Sequence, residues 1–314
     1  MPDTLAPAAV NAARMRASAP TPASAPRRRP SIGRRVAWLT LGLIMLVTLF
    51  PFYWVLRTAL STNSMLPAGA GHLLPVGVTF DNFERVLGAT STATSDGTAT
   101  LNFWGYLRNS VITATSITAG QVFFSAMAAY AFARLRWPGR NQVFFIFLTA
   151  LMIPPVFVVL PNFILIKDLG LLNTYAAMVL PYFLMTPFAI FFLRQFFLGV
   201  SREVEESAML DGAGHARIFL RLIVPMNRTP IITLSVLTYI TAWNDYFWPL
   251  LVGSDDKVRV LTVALGIFQA QSPQTGPDWA GLMAATLIAA LPMLILFLVV
   301  ARKIIATIGY SGIK

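Results

Sequence analysis

The chain reads as an all-α polytopic membrane protein, and three observations predict this. Hydrophobic residues make up 56% of its 314 positions and charged residues only 12%, too few to cover the core that such a chain would bury in water. The apolar residues gather into six runs of about 20 residues, the length an α-helix needs to cross a hydrocarbon layer of about 30 Å. The 24 lysines and arginines fall mainly between those runs, with eighteen on one side and six on the other. The positive-inside rule converts that asymmetry into six spans with both termini cytoplasmic.

Residues 1–35 are rich in Ala, Pro, Ser and Arg and nearly lack large apolar side chains. They cannot repay the entropy of ordering and are expected to form a disordered cytoplasmic leader. The first apolar run, Val36 to Leu56, is long enough to span, whereas the apolar region of a cleaved signal is nearer 7 to 15 residues. The remaining spans are expected at Ser110–Ala133, Val143–Ile166, Tyr175–Leu193, Ile231–Val252 and Ala280–Ala301. A six-helix domain would thus occupy residues 36–308, with 309–314 as a cytoplasmic tail. The segment between the first two spans carries a Thr-rich insertion, Thr90 to Thr100, expected to be a flexible outer loop. A second outer loop runs from Gly253 to Trp279 and contains the turn-forming pairs Ser272-Pro273 and Gly276-Pro277.

Composition also excludes functions. With no cysteine and only His72 and His215 as histidines, the chain offers no thiolate or zinc cluster, and no metal site is expected. The net charge of +11 is distributed as membrane topology requires and not as a nucleic-acid footprint. The four lysines, Lys167, Lys257, Lys303 and Lys314, are never preceded by glycine, so the chain has no Gly-Lys phosphate loop and no ATPase site of its own. No convergent His, Asp or Ser constellation suggests an enzyme.

Inside the spans, Pro154, Pro155, Pro161, Pro181, Pro187 and Pro249 each free a carbonyl and bend or break the helix. Such sites are static kinks about as often as they are gates. Asp245, within Trp243–Pro249, is the one carboxylate in apolar sequence. It lies near the outer interface, where it either lines a pathway or anchors beside interfacial aromatics. Asn162, Tyr182, Asn244 and Asp245, with the Pro154-Pro155 pair, are the candidate residues of a translocation pathway.

The long polar interruption, residues 201–228, joins spans four and five. Ser201 is placed to cap a short helix with Glu203 in its first turn, and Asp211-Gly212 to end it. His215 to Ile223 forms a second, amphipathic helix carrying Ile218, Phe219, Leu222 and Ile223, which Pro225 is expected to close. A mere connection would not need about 30 residues of two-helix design, so the loop is read as a docking surface.

Glu206-Ser207-Ala208, Gly212 and Leu222-x-Val224-Pro225 resemble the Glu-Ala-Ala, Gly, Ile-x-Leu-Pro motif of binding-protein-dependent ABC importer permeases, at matching spacing. Ser, Leu and Val are conservative departures. Thr79–Phe83, Ala129–Arg134, Leu169–Thr174, Trp243-Asn244-Asp245 and Gly309–Lys314 look like the maltose-type carbohydrate subfamily. The resemblance implies a coupling helix in which Glu205, Glu206, Ser207, Ala208, Asp211, Gly212 and Pro225 engage a separate ATPase. It also implies a homologous second permease, two ATPase copies holding ATP and Mg, an extracytoplasmic sugar-binding protein and an inner-membrane location. The alternative is a self-sufficient ion-coupled solute carrier, for which midplane carboxylates or internal repeats are expected.

Overall fold

The computed structural model describes residues 32–69, 71–88, 102–270 and 278–308, and every regular element among them is helical. Most of the leader, the Thr-rich insertion, the Ser272-Pro273 and Gly276-Pro277 turns and the C-terminal tail lie outside the described residues. Helix α1 (Ile32–Ala59) begins four residues before the expected start of the first span, Val36. A helical turn at Asn63–Met65 and helix α2 (Asp81–Leu87) follow it.

Helix α3 (Phe103–Arg134) is the longest element and the one others pack on. Asn102 caps it, its side chain accepting from the Gly105 amide at 3.2 Å. Its buried residues include many small ones, among them Ala114, Gly120, Ser125, Ala126, Ala129 and Ala133. Such side chains let helix backbones approach closely where lipid supplies no hydrophobic drive. Three further elements use this surface: α6 (Tyr175–Phe183), α7 (Pro187–Leu198) and α10 (Arg228–Asn244).

Among the described residues, three helices are each long and apolar enough to cross a membrane alone: Gly33–Ala59, Phe103–Arg134 and Trp279–Val300, the last within α13 (Trp279–Ile308). The expected third, fourth and fifth spans are not single helices. The third is α4 (Arg140–Ala150) and α5 (Val156–Asp168), separated at 151–155. There Met152 N bonds Thr149 O at 3.0 Å and Ile153 N bonds Ala150 O at 3.2 Å. These tightened turns end α4 before the Pro154-Pro155 pair, which cannot donate to a continuing helix. The fourth is the pair α6 and α7, bent by 46° at Leu184–Thr186. Thr186 is held extended (ψ 149°), as a residue before proline must be. In the fifth, the break falls at Asp245-Tyr246, between α10 and α11 (Phe247–Val252). By contrast Pro161 and Pro181 sit inside helices without breaking them.

The expected outer loop 253–279 also holds an unforeseen helix, α12 (Leu261–Ala270). Leu261, Val263 and Ala264 are buried, and the Leu261 amide donates to Ser110 Oγ on α3 at 2.8 Å. Three apolar clusters result. One unites the C-terminal half of α3 with α7 and the segment Ile218–Ile223. A second unites the N-terminal half of α3 with α2, α12 and α13. The third surrounds Met178 and Trp248.

Candidate functional site

The polar loop between α7 and α10 begins with helix α8 (Arg202–Leu210), whose two ends are built as its sequence dictates. Ser201 Oγ accepts from the Glu203 amide at 3.2 Å, and Glu203 and Glu205 occupy the first turn, where the helix dipole favours negative charge. At the other end Ala213 N bonds Ala208 O at 2.9 Å and Gly212 N bonds Met209 O at 3.0 Å. This is the paired closure of a Schellman motif, with Gly212 at φ +80° supplying the left-handed residue. A β-branched residue there carries a backbone penalty of about 1–2 kcal/mol.

What anchors α8 is Arg134, the last residue of α3. Its Nε lies 2.9 Å from Glu205 Oε1, and both side chains are buried. Its Nη2 donates to the carbonyls of Phe197 and Val200, at the C-terminal end of α7. One guanidinium therefore joins the ends of two membrane helices to α8. Sequence reasoning missed this residue as a site. The available signal was a permanent cation ending a small-residue span, in need of a buried counter-ion. Burial raises the Glu205 carboxyl above its ordinary value of 4.5, outweighing the opposing pull of Arg134, Arg202 and His215. Folded Glu205 thus holds its proton to higher pH than in the unfolded chain. Its favourable contribution is complete below about pH 4.5 and is lost as pH rises through the raised value. Glu205→Gln should flatten that part of the stability profile, as thermal unfolding in detergent from pH 4.5 upward would record; an unchanged slope contradicts the assignment.

The two faces of α8 differ. Glu205 and the half-buried Ala208 look inward, and Ala208 packs against the cluster that contains Leu193 and Ile223. Glu206, Ser207, Met209, Asp211 and Gly212 are exposed, and Leu210 is 90% exposed. Of the expected docking residues, then, Glu205 and Ala208 serve the chain's own packing, and Glu206, Ser207, Asp211 and Gly212 present the free surface. The second helix, α9 (His215–Ile218), leads into a π-helical turn, Phe219–Ile223, and on through Val224–Met226. Contrary to the expectation from sequence, Pro225 does not close this segment. It occupies the first turn after the π segment, where its missing N–H is tolerated, and the break comes at Asn227. Ile218, Phe219 and Ile223 are buried within the chain, Phe219 lying 5.4 Å from the Tyr130 ring.

The candidate pathway residues are only partly brought together. Trp248 meets Tyr182 edge-on at 6.3 Å, and its amide donates to Asp245 Oδ1 at 3.4 Å. Asp245 therefore caps α11 at the break, while its carbonyl accepts from Thr262 Oγ1 at 2.8 Å. Asn244 is exposed, with its amide on Ile240 O; Asn162 is half-buried on α5; Pro154 and Pro155 stand exposed at the α4–α5 break. A polar group not foreseen holds the α6–α7 bend. Gln121 donates to Thr186 Oγ1 at 3.2 Å, and the Thr186 amide donates to Ser125 Oγ at 3.2 Å. Unwound backbone among apolar helices needs such partners.

Helices long and apolar enough to span, others broken at proline, and a polar loop anchored by a buried ion pair are the features of a multi-pass membrane protein. The chain belongs to the family of binding-protein-dependent transport system inner membrane components, which matches residues 121–308. It is 30% identical to the diacetylchitobiose uptake system permease protein DasC of Streptomyces coelicolor, over 91% of this chain and 99% of that one. It is 32% identical to the sn-glycerol-3-phosphate transport system permease protein UgpE of Shigella flexneri, over 85% and 95%. In fold it is similar to a chain of a bacterial ABC transporter involved in the import of the acidic polysaccharide alginate. There the TM-score is 0.73 at 22% identity, covering 88% of this chain and 97% of that one. The protein is a permease subunit of an ABC importer in the inner membrane, and the ion-coupled carrier gives way to that assignment.

Proposed function

We propose that this permease subunit imports a sugar or oligosaccharide, forms half of the pathway with a homologous second permease, and couples it through α8 to a separate ATPase. The observation that carries the coupling is the opposition of the two faces of α8. A buried ion pair fixes the helix to α3 and α7, and Leu210 and Glu206 stand free for a partner. A push on that outer face would reach two membrane helices through Arg134 without passing through a flexible link. Six spans with cytoplasmic termini agree with this arrangement if the α4–α5 pair, the α6–α7 pair and the α10–α11 pair each cross once. The domain would then run from residue 36 to 308, between a cytoplasmic leader and a short tail.

ATP and Mg would be held by two copies of the ATPase, and an extracytoplasmic binding protein would deliver the sugar to the outer loops. A carbohydrate substrate is supported by what the relatives' names say they carry, diacetylchitobiose for one and trehalose or maltose for another. Reconstitution with both partners tests the coupling. Glu206→Lys and Gly212→Val are expected to cut binding-protein-stimulated ATP hydrolysis at least tenfold while the variants remain folded. Stimulation at the original level in both variants would remove α8 from the coupling path. The solute class is tested separately, by loading the binding protein with oligosaccharides or with amino acids; stimulation by amino acids alone rejects the sugar.

A further inference from the structure

Two adjoining cavities of about 420 and 580 Å³ open beside α8, and Arg136, Trp137 and Arg202 line both. The smaller is also lined by Arg140, Asn141 and Gln142, so three guanidinium groups face it and no carboxylate does. Among the described residues the ion pairs are Arg85–Asp278, Arg134–Glu205 and Arg259–Asp256. None of Arg136, Arg140 and Arg202 belongs to these pairs; Glu205 and Glu206 line the larger cavity, and Glu205 feels the charge of Arg202, but the smaller cavity gathers the three arginines with no carboxylate in its lining. Arg140 spends one donor on the Leu135 carbonyl at 3.0 Å, which fixes its stem and leaves the rest of its fork available.

The surroundings indicate where the missing anion comes from. One turn beyond Arg140 on α4, the Phe144 ring lies 4.3 Å beneath the Arg194 guanidinium, and Arg194 Nε donates to Phe132 O at 3.3 Å. Trp137 packs on Phe132 with ring centroids 5.6 Å apart. Past this belt of Arg and aromatic side chains, α4 presents Phe145 and Ile146, which are 65% and 64% exposed. A basic cavity, an interfacial tryptophan and an exposed apolar stripe thus follow one another along a single helix. That sequence matches the headgroup, the glycerol level and the acyl chains of a phospholipid.

We propose that the smaller cavity, the one without carboxylates, binds the phosphate headgroup of an anionic phospholipid from the cytoplasmic leaflet, with its chains lying along α4. The proposal rests on the orientation adopted above, in which α8 faces the cytoplasm. The arginines supply bidentate donors to the phosphodiester, and Asn141 and Gln142 supply neutral donors to a glycerol headgroup. Because Arg202 begins α8, an occupied cavity would tie the coupling helix to the membrane surface beside it.

Native mass spectrometry of the full chain, purified with its partner permease, tests this by titration with phosphatidylglycerol, phosphatidylcholine or inorganic phosphate. Phosphatidylglycerol is expected to be retained, phosphatidylcholine not, and millimolar phosphate should not displace the lipid. Each arginine neutralised should weaken retention about fivefold, so Arg136→Gln/Arg140→Gln loses about 25-fold, and the surface variant Arg202→Gln guards against misfolding of the first. Equal retention of both lipids, full competition by phosphate, unchanged binding in the variants, or complete loss of lipid when the ATPase is added would each overturn the proposal. The last outcome would assign the cavities to the ATPase interface. Lipid retention is read without ATP hydrolysis, so its failure is distinct from failure of the coupling by α8.

Discussion

Replacing Arg134 by methionine is expected to cost about 3–5 kcal/mol, the loss typical when one partner of a buried ion pair is removed and the other is stranded. Here Glu205 would lose its counter-ion in an apolar setting and could escape the cost only by taking up a proton, and the Phe197 and Val200 carbonyls would lose their common donor. Thermal unfolding of the purified subunit measures the loss. The second variant, Arg134→Met/Glu205→Leu, should recover much of the stability, because neither charge is then buried alone. It should not recover substrate-stimulated ATP hydrolysis in the assembled transporter, since α8 would no longer be tied to α3 and α7 by a directional contact. If both variants couple normally, the anchor has only a packing role; if the double variant is no more stable than the single, the ion pair is not the cause of the loss.

Gly120→Val should be nearly as damaging. A Cβ at this position would stand 2.3 Å from Phe183 Cδ2 and 2.6 Å from the Phe183 carbonyl oxygen. A ring can turn away, but a backbone oxygen at the end of α6 cannot move without shifting the bend that Thr186 and Ser125 hold. The expected cost lies at or above the upper end of the roughly 1–3 kcal/mol seen for overpacked cores. Gly120→Ala should be intermediate, and Phe183→Ala in that background should restore only part of the loss. Full restoration would show that the ring, and not the backbone, sets the approach of α6 to α3.

The sequence made the bilayer-facing parts legible because lipid imposes a simple demand: long apolar runs, with cations kept to one side. Ser201, Asp211 and Gly212 were legible for a similar reason, since caps and left-handed turns are local. The pairing of Arg134 with Glu205 was not. The partners are 71 positions apart, and no period connects them. Nor could composition choose between Glu205 and Glu206. Neighbours on a helix point about 100° apart, and only the packing of α8 shows that the first faces inward and the second outward. The same blindness explains the spans. Proline marked the breaks at Pro154-Pro155 and Pro187 but also suggested breaks at Pro161 and Pro181 that the helices absorb. Helix α12 was hidden because its ten residues, though mostly apolar, are too few to signal a span and lie between turn-forming sequences.

The π-helical turn at Phe219–Ile223 has a bearing on how this loop can change over generations. One residue more than an α-helical turn is stored there, with the Val224 amide reaching back to Phe219 O. Losing any single residue from this stretch would let the helix close into an ordinary turn. Everything before it would then rotate by about 100° and move by about 1.5 Å relative to α10. Leu210 and Glu206 would be aimed elsewhere, and Glu205 would be drawn from Arg134. Deleting one residue from this segment should therefore disturb the outer face of α8 more than replacing one of its exposed side chains, because the count of residues sets the angle at which one protein meets another.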